Sequence, residues 1–592
     1  MRKFLTGVLL FAVCGSVALG ADDDQSKKIA LLPEQPRTMD QVIDRVTNNE
    51  NHLYGKMREY SPLVETYIQN LKTDKSEKLL GPVPAGDRYF LGKADFTKGV
   101  GLISISDTNS KGKKVFVGIG NFFSFAMQYL PDGFLQMVFI DSTGFDRQHY
   151  KFDYIKREFL GEVRCLVFDV TPLPKSGKGR FLGRIWVEDQ DFNIVRFNGG
   201  YGGAGHSSWY FHFDSWRSNV QPGLWLPTFV YSEENNLHYA MTKKLDFKAQ
   251  TRIWGYNLGH TSQEQELSKI LVESNVNDES STNNDLTPLQ AQRSWDRQAE
   301  DNVSDRLQRL GLMAPKGEVD KVLETVVNNL EVTNNLDIEP EVRCRVMTTT
   351  TLESFTLGHT IVLSRGLIDV LPDEASLAAI IAHELAHVVL GHRMDSQYAF
   401  FDQLLIDDKD SFRHFGFARS PEEEDAANHK GAELLSTALK NPQVAKVWQM
   451  NNASMFFLAL QNRQKEIPNL ISAHLGNRVP NLPNLGSSPV AAAPVETAAA
   501  TSADGKPATA QKMAALPIGG RVKMDPWTDK LELLKSKPVG TVAEREKMPF
   551  EVTPFMPYLT RYNSDSGAKP IAASAQQAPD GTAIVDPPAA KP

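Results

Sequence analysis

The sequence predicts an α+β chain: an antiparallel, β-rich N-terminal domain, a mainly helical domain with a small sheet, and a disordered C-terminal tail. Three observations predict this. The 592 residues are too many for one ordinary core. Between about Asp87 and Phe247 short β-like runs alternate with turn signals, whereas from Pro288 onward apolar residues recur at helical spacing. Beyond about Pro480, Pro, Ala, Ser and Thr take over, a composition that buries too little apolar surface to order itself.

In chain order, residues 1–20 read as a secretory signal peptide. Arg2 and Lys3 precede an apolar run from Phe4, and Ala18 and Gly20 close it. Export to the periplasm or cell envelope is therefore expected, and lipid anchoring at Cys14 is not, because bulky Val13 precedes it. Residues 21–37 are a polar linker. Thr38 to about Tyr60 is an amphipathic helix, with Thr38 and Gln41 in capping-box positions and Val42, Val46, Leu53 and Met57 near helical period.

The β-rich domain is expected over 38–265. Its strand-like runs include Lys114 to Gly118, Phe134 to Asp141, Arg164 to Val170, Arg184 to Glu188, Asn193 to Phe197 and Leu224 to Ser232. Alternation in runs such as Arg164 to Val170 suits a curved antiparallel sheet with one face on a core or ligand. Trp186, Trp209, Trp216 and Trp225 are expected to be cross-strand packing, since no basic residues interleave with them as on a stacking platform. The net charge of −8 and unclustered basic residues exclude a nucleic-acid partner. No later run is long and apolar enough to predict a transmembrane span in the mature chain.

Residues 274–287 form a second polar linker, and 288–480 the helical domain. There Pro288 to about Leu330 is helical, and Glu341 to Thr349 and Thr360 to Leu363 are strand-like. Asp373 caps the helix that follows. Cys165 and Cys344 are expected as buried free thiols. In the 481–592 tail, residues 525–562 carry Trp527, Leu531, Leu533, Phe550, Phe555 and Tyr558, an apolar set predicted to dock on the body or on a partner.

Chemistry concentrates in Ala375 to His392 (ASLAAIIAHELAHVVLGH). His383 and His387, four residues apart on a helix, lie one above the other and can reach one Zn²⁺, while Glu384 is placed to take a proton from water at the metal. Leu377, Ile380, Ile381, Leu385, Val388 and Val389 make this helix apolar, and two stacked imidazoles are costly to bury on it without a cation. A third histidine in the pattern His-x-x-Gly-x-x-His is absent, since Leu390 and Arg393 stand at those positions. His392 falls to the second shell or the helix end. Downstream, Ser420-Pro421-Glu422-Glu423 is a strong helix start. Glu424, Ala427, Asn428 and Gly431 share one face of that helix, and the two small residues permit the close approach a glutamate ligand needs. Glu424 is the candidate, with Glu422 and Glu423 solvated.

Thr360-Ile361-Val362-Leu363-Ser364-Arg365-Gly366-Leu367, HELAHVVLGH, and Glu424-x-x-Ala427-Asn428-x-x-Gly431-x-Glu433-Leu434-Leu435 together resemble the HtpX/BepA-like zinc metallopeptidases, gluzincins related to the CaaX prenyl proteases. The resemblance implies one Zn²⁺ on His383, His387 and Glu424, with Glu384 as general base. It implies a substrate edge strand at Thr360, Ile361, Val362 and Leu363. Asn428 stands where the family has an aspartate that orients a ligand histidine, and Glu353-Ser354-Phe355 stands where the family has Asn-Ala-Phe. His474 and Arg478 are the candidate oxyanion stabilisers. The helix and meander containing Gly183 to Asp189 and Ile194 to Phe197 resemble, more loosely, the half-barrels of periplasmic lipoprotein carriers (LolA-like) and sigma regulators, implying a concave surface for a lipid or unfolded-protein client.

The expected function is zinc-dependent endopeptidase cleavage of exported or envelope proteins in quality control, with protein or peptide substrates. The alternative is a carrier or chaperone with a slow or structural zinc site.

Overall fold

The structure, a computed structural model, describes residues 36–73, 82–105, 131–142, 144–177, 179–202, 211–240, 243–256, 287–392, 399, 417–448, 450–472, 475–478, 521–525, 529–534, 550–554 and 557–562. The leader with Cys14, the 274–285 linker, the run Lys114 to Gly118, and Trp209, Trp527 and Phe555 lie outside them.

The N-terminal half is α1 (Met39–Met57), β1 (Leu63–Thr73), β2 (Pro82–Asp95), β3 (Gly101–Ser104), α2 (Pro131–Gln136), β4 (Tyr150–Leu160), β5 (Val163–Pro172), β6 (Arg180–Glu188), β7 (Ile194–Gly202), β8 (His212–Gln221), β9 (Leu224–Ala240) and β10 (Lys243–Trp254). These strands form one ten-stranded sheet in the order β3-β2-β1-β10-β9-β8-β7-β6-β5-β4, antiparallel throughout. Thr38 caps α1 as expected, its hydroxyl accepting from Gln41 N–H while the Gln41 side chain returns the bond. The predicted strand over Phe134 to Asp141 is instead α2 and an irregular continuation. Its apolar residues do not alternate, since Phe134, Leu135, Met137, Val138, Phe139 and Ile140 are all buried, so the run plugs a core rather than presenting one face.

Strand alternation sends two sets of side chains to opposite faces. On β1, Val64 and Ile68 join α1 and α2 in one core, while Leu63 and Tyr67 point into the other. That second core is continuous with the rest of the protein: Leu63, Tyr67, Trp216 and Trp254 share it with Leu310, Leu323, Phe355 and Ile380. The two predicted domains are therefore joined by one apolar interior. Polar contacts reinforce the join. Glu65 accepts from Thr350 N–H (2.6 Å) and Thr350 Oγ1 (2.6 Å) and pairs with Arg252 (3.1 Å). Asp87 accepts from the N–H groups of Asn469 (2.9 Å) and Leu470 (2.8 Å).

Trp186, Trp216 and Trp225 are buried, as expected. The reading that no basic residue interleaves with them is corrected: the Arg196 guanidinium lies 4.2 Å from the Trp186 ring centroid and 4.5 Å from that of Trp216, held by Asp214 at 2.8 Å. The sequence separates these residues by ten or more positions, and antiparallel pairing of β6, β7 and β8 brings them together.

The C-terminal half comprises α3 (Pro288–Arg309), α4 (Glu318–Asn334), β11 (Arg343–Met347), β12 (Glu353–Leu357), β13 (Thr360–Ser364), α5 (Arg365–Val370), α6 (Glu374–Val389), α7 (Pro421–Ala438), α8 (Pro442–Val447), α9 (Met450–Arg463), α10 (Pro468–Ile471), β14 (Asn477–Arg478), β15 (Val522–Met524) and β16 (Leu531–Leu533). A four-stranded sheet runs β11-β13-β12-β14, with β11 and β13 parallel. The tail segment docks on the body, with Val522, Leu531, Phe550 and Leu559 all buried. Cys165 and Cys344 are buried and free.

Candidate metal centre

The helix α6 carries the centre. Asp373 caps it, accepting from Ser376 N–H at 2.9 Å, and Gly391 at φ +72° turns the chain out of it. Its apolar residues surround it with core, so His383, Glu384 and His387 are all buried. The helix α7 supplies Glu424. Ser420 caps that helix in a reciprocal box with Glu423, with Pro421 in the first turn. The helices touch through small residues: a Cβ built on Gly431 would stand 3.0 Å from His383 Cα and 3.1 Å from Ala382 O. Ala427 is fully buried beside it.

Close packing brings the three predicted ligands together. His383 Nε2 lies 3.2 Å from His387 Nε2 and 3.3 Å from Glu424 Oε2, and His387 Nε2 lies 3.5 Å from Glu424 Oε1. Ligands at tetrahedral positions about 2.0–2.1 Å from a zinc ion stand roughly 3.3–3.4 Å apart, so the spacing fits a metal held by two imidazoles and a carboxylate. The polar accounting points the same way. Among the described residues, Glu384 Oε2 and Glu424 Oε1 are buried without a hydrogen-bond partner. Burial pushes the Glu424 carboxyl up, but the two histidines facing it outweigh this and bring it down to about 2. Burial raises Glu384, against the opposing pull of both histidines and Ser354.

The surrounding residues divide. His392 Nδ1 meets His387 Nδ1 at 2.8 Å; were a metal to take His387 Nε2, its Nδ1–H would donate and His392 would accept. Asn428 shares the expected helix face, but its Oδ1 is buried without a hydrogen-bond partner among the described residues, so no bond orients a ligand histidine from there. Glu423 caps its helix and Glu422 is exposed.

The edge-strand expectation for Thr360, Ile361, Val362 and Leu363 is corrected. Their strand, β13, is interior, paired with β11 on one side and β12 on the other. All four are buried, and Thr360 Oγ1 is committed to Glu300 at 3.1 Å. The strand against the metal helix is β12. Its outer side pairs with β14 only at Glu353 and Ser354, and Ser354 Oγ donates to Glu384 Oε1 at 2.6 Å.

Of the expected oxyanion stabilisers, His474 lies outside the described residues, as does the Arg478 side chain. Sequence reasoning missed Arg419. It donates to Thr356 O (3.2 Å) and Thr356 Oγ1 (3.0 Å), so a cation sits on β12 beside the centre. Burial lowers its pKa, against the charges of Glu423, Glu384 and Glu424. An arginine immediately before the cap of the ligand helix was the available signal.

Two helices meet at a His-His-Glu cluster that could hold a metal ion, backed by a small mixed sheet. Residues 314–474 match the model of Peptidase family M48, so this part of the chain is similar to the metallopeptidases of that family. No curated protein matches the chain. Solved structures similar to it include a LolA superfamily protein from Nitrosomonas europaea, 11% identical with a TM-score of 0.21, covering 36% of this chain and 91% of that one. A putative outer membrane lipoprotein-sorting protein domain from Vibrio parahaemolyticus is 9% identical with a TM-score of 0.22, covering 39% and 99%. A DUF1329 family protein from Desulfovibrio piger is 13% identical with a TM-score of 0.20, covering 38% and 98%.

Proposed function

We propose that the protein is a zinc-dependent endopeptidase of the cell envelope that cleaves exported proteins in quality control. The observation that carries the zinc reading is the mutual spacing of His383 Nε2, His387 Nε2 and Glu424, 3.2 to 3.5 Å, with both histidines buried and Glu424 partly exposed. These three residues would hold the ion. Zinc bound there supplies Lewis acidity, lowering the pKa of water toward about 7 and drawing charge from a substrate carbonyl. Glu384, one residue from a ligand and with Oε2 without a partner among the described residues, takes the proton from the attacking water and delivers it to the leaving amine. Burial raises its pKa, which favours that transfer. Ser354 holds the other carboxylate oxygen, and Arg419 places positive charge along β12, where an extended substrate would lie. His387 is held in register by His392.

The envelope assignment rests on the leader-like residues 1–20. It agrees with the finding that no described helix is long and apolar enough to cross a membrane. The deciding experiment substitutes Glu384→Gln in the full chain and measures bound zinc alongside cleavage of a casein substrate. Zinc at parent stoichiometry with cleavage reduced by three orders of magnitude or more is expected. Unchanged cleavage would sink the mechanism.

A further inference from the structure

The described tail residues 550–554 and 557–562 lie against the large sheet, held by main-chain hydrogen bonds and by the buried side chains of Phe550, Val552 and Leu559. At one end the Gln69 side-chain amide pairs with the tail as a neighbouring strand would: Nε2 donates to Phe550 O while Oε1 accepts from Val552 N–H at 2.9 Å. Gln69 is fully buried, so its amide is committed to reading a backbone. Lys248, beside it on β10, pairs with Glu551. Farther along, Glu162 N–H donates to Leu559 O at 2.9 Å. Gly161 in the same turn has no room for a Cβ, which would stand 2.6 Å from Leu559 O. At the far end Asn219 Oδ1 accepts from Tyr562 N–H at 2.6 Å, and Arg561 pairs with Glu188 at 2.8 Å.

Beside these residues lies a cavity of about 560 Å³ between the sheet, the Gly311 to Pro315 turn and the tail, with Phe229, Trp254 and Leu559 on its walls. Room remains there for side chains other than those of the tail. The Phe550 end of the path meets Phe456 of α9 in a tilted ring contact, at 6.2 Å between ring centroids. That helix packs on the metal helix.

We propose that this path is a binding groove for an extended polypeptide, and that the described tail residues, 550–554 and 557–562, occupy it as a tethered stand-in for a client. Main-chain recognition by Gln69, Glu162 and Asn219 requires an extended segment, and the buried seats of Phe550, Val552 and Leu559 add a preference for apolar side chains, which suits unfolded segments and excludes folded ones. Tethering makes the tail an intramolecular competitor, so a client enters only when the local effective concentration of the tail is overcome. The proposal deepens the peptidase reading by naming the substrate class, but binding in the groove is separable from hydrolysis.

The test uses the full chain with Glu384→Gln, so that nothing is cleaved, and with Phe550→Asp and Val552→Asp to unseat the tail. The probe is a fluorescein-labelled peptide of residues 546–564, followed by anisotropy. The doubly substituted chain should bind it at least tenfold more tightly than the chain with Glu384→Gln alone, and unfolded casein should displace it. A folded variant that gains no affinity overturns the proposal. A second measurement needs no tail substitution: hydrogen exchange on the chain carrying only Glu384→Gln. The Val552 and Tyr562 amides should exchange at least 100-fold faster than those of β1 and β10, through local opening. Exchange at the strand rate would mean that the tail leaves only on global unfolding, and would also overturn the proposal. Loss of casein hydrolysis in Glu384→Gln with no groove binding would leave the peptidase reading intact and remove this one.

Discussion

Ser354 Oγ donates to Glu384 Oε1 at 2.6 Å, tying the proposed general base to the strand along which substrate would lie. The bond leaves Oε2 as the carboxylate oxygen without a protein partner among the described residues. A hydrogen bond to a charged group contributes about 1.5–3 kcal/mol, and part of that is recovered by water on truncation. Ser354→Ala should therefore lower kcat about tenfold with KM and bound zinc unchanged, and Ser354→Thr should recover part of the loss. A kcat equal to the parent in Ser354→Ala would show that the bond plays no part in positioning Glu384.

The join between the two halves is the next target. Glu65 is buried and accepts from Thr350 N–H, Thr350 Oγ1 and, at 2.8 Å, Tyr89 OH, while pairing with Arg252. Breaking a buried pair by removing one partner costs about 3–5 kcal/mol because the other charge is left uncompensated. Glu65→Ala should accordingly lower the thermal midpoint of the sheet and the peptidase domain together, as followed by tryptophan fluorescence and by bound zinc. Loss of zinc with no shift in the fluorescence transition would argue against a shared interior.

The parts of this architecture legible in the sequence are those written locally. His383 and His387 are four residues apart, and the Ser420-Pro421-Glu423 helix start closes within four, so each could be read without knowing what lies nearby. The strand Thr360–Ser364 was also legible, but its neighbours were not. A parallel pairing with Arg343–Met347 and an antiparallel one with Glu353–Leu357 turn an expected edge into an interior strand. The same holds for the tail: Gln69 bonds Phe550 and Val552 across 481 and 483 residues, a separation at which composition marks an apolar segment but not its seat. Arg196 between Trp186 and Trp216 was hidden for the same reason.

Asp132 supplies a pH dependence away from the metal. Burial raises its carboxyl from 3.8 to about 6, only partly offset by a backbone hydrogen bond from Leu102. A folded-state pKa above the unfolded one means that the native state binds the proton more tightly. Stability from this group is thus fully present below about pH 4 and is lost as pH rises through about 6. At about 1.4 kcal/mol per pKa unit, discounted for partial solvent screening, the penalty at pH 8 is about 1–2 kcal/mol. Asp132→Asn should raise the thermal midpoint at pH 8 and have little effect at pH 4.5. Equal shifts at both pH values would contradict a raised carboxyl.

Glu424 and Gly431 test the metal site from the side of the second helix. Glu424→Ala should release zinc at concentrations of chelator that leave Glu423→Ala loaded, since Glu423 serves only the helix cap. Gly431 acts through distance. A Cβ there would stand 3.0 Å from His383 Cα, 3.1 Å from His383 N and 3.1 Å from Ala382 O, all backbone atoms that cannot swing aside. The Glu424 helix must then back away by a few tenths of an ångström, carrying its carboxylate from the two imidazoles. Overpacking of this kind costs about 1–3 kcal/mol, and 1.4 kcal/mol is tenfold in an equilibrium constant. Gly431→Ala should therefore weaken zinc binding about tenfold in a competition titration against a chelating dye, while Ala427→Gly, which relaxes the same face, should weaken it less. Zinc affinity unchanged in Gly431→Ala would mean that the close approach of the two helices does not set the ligand geometry.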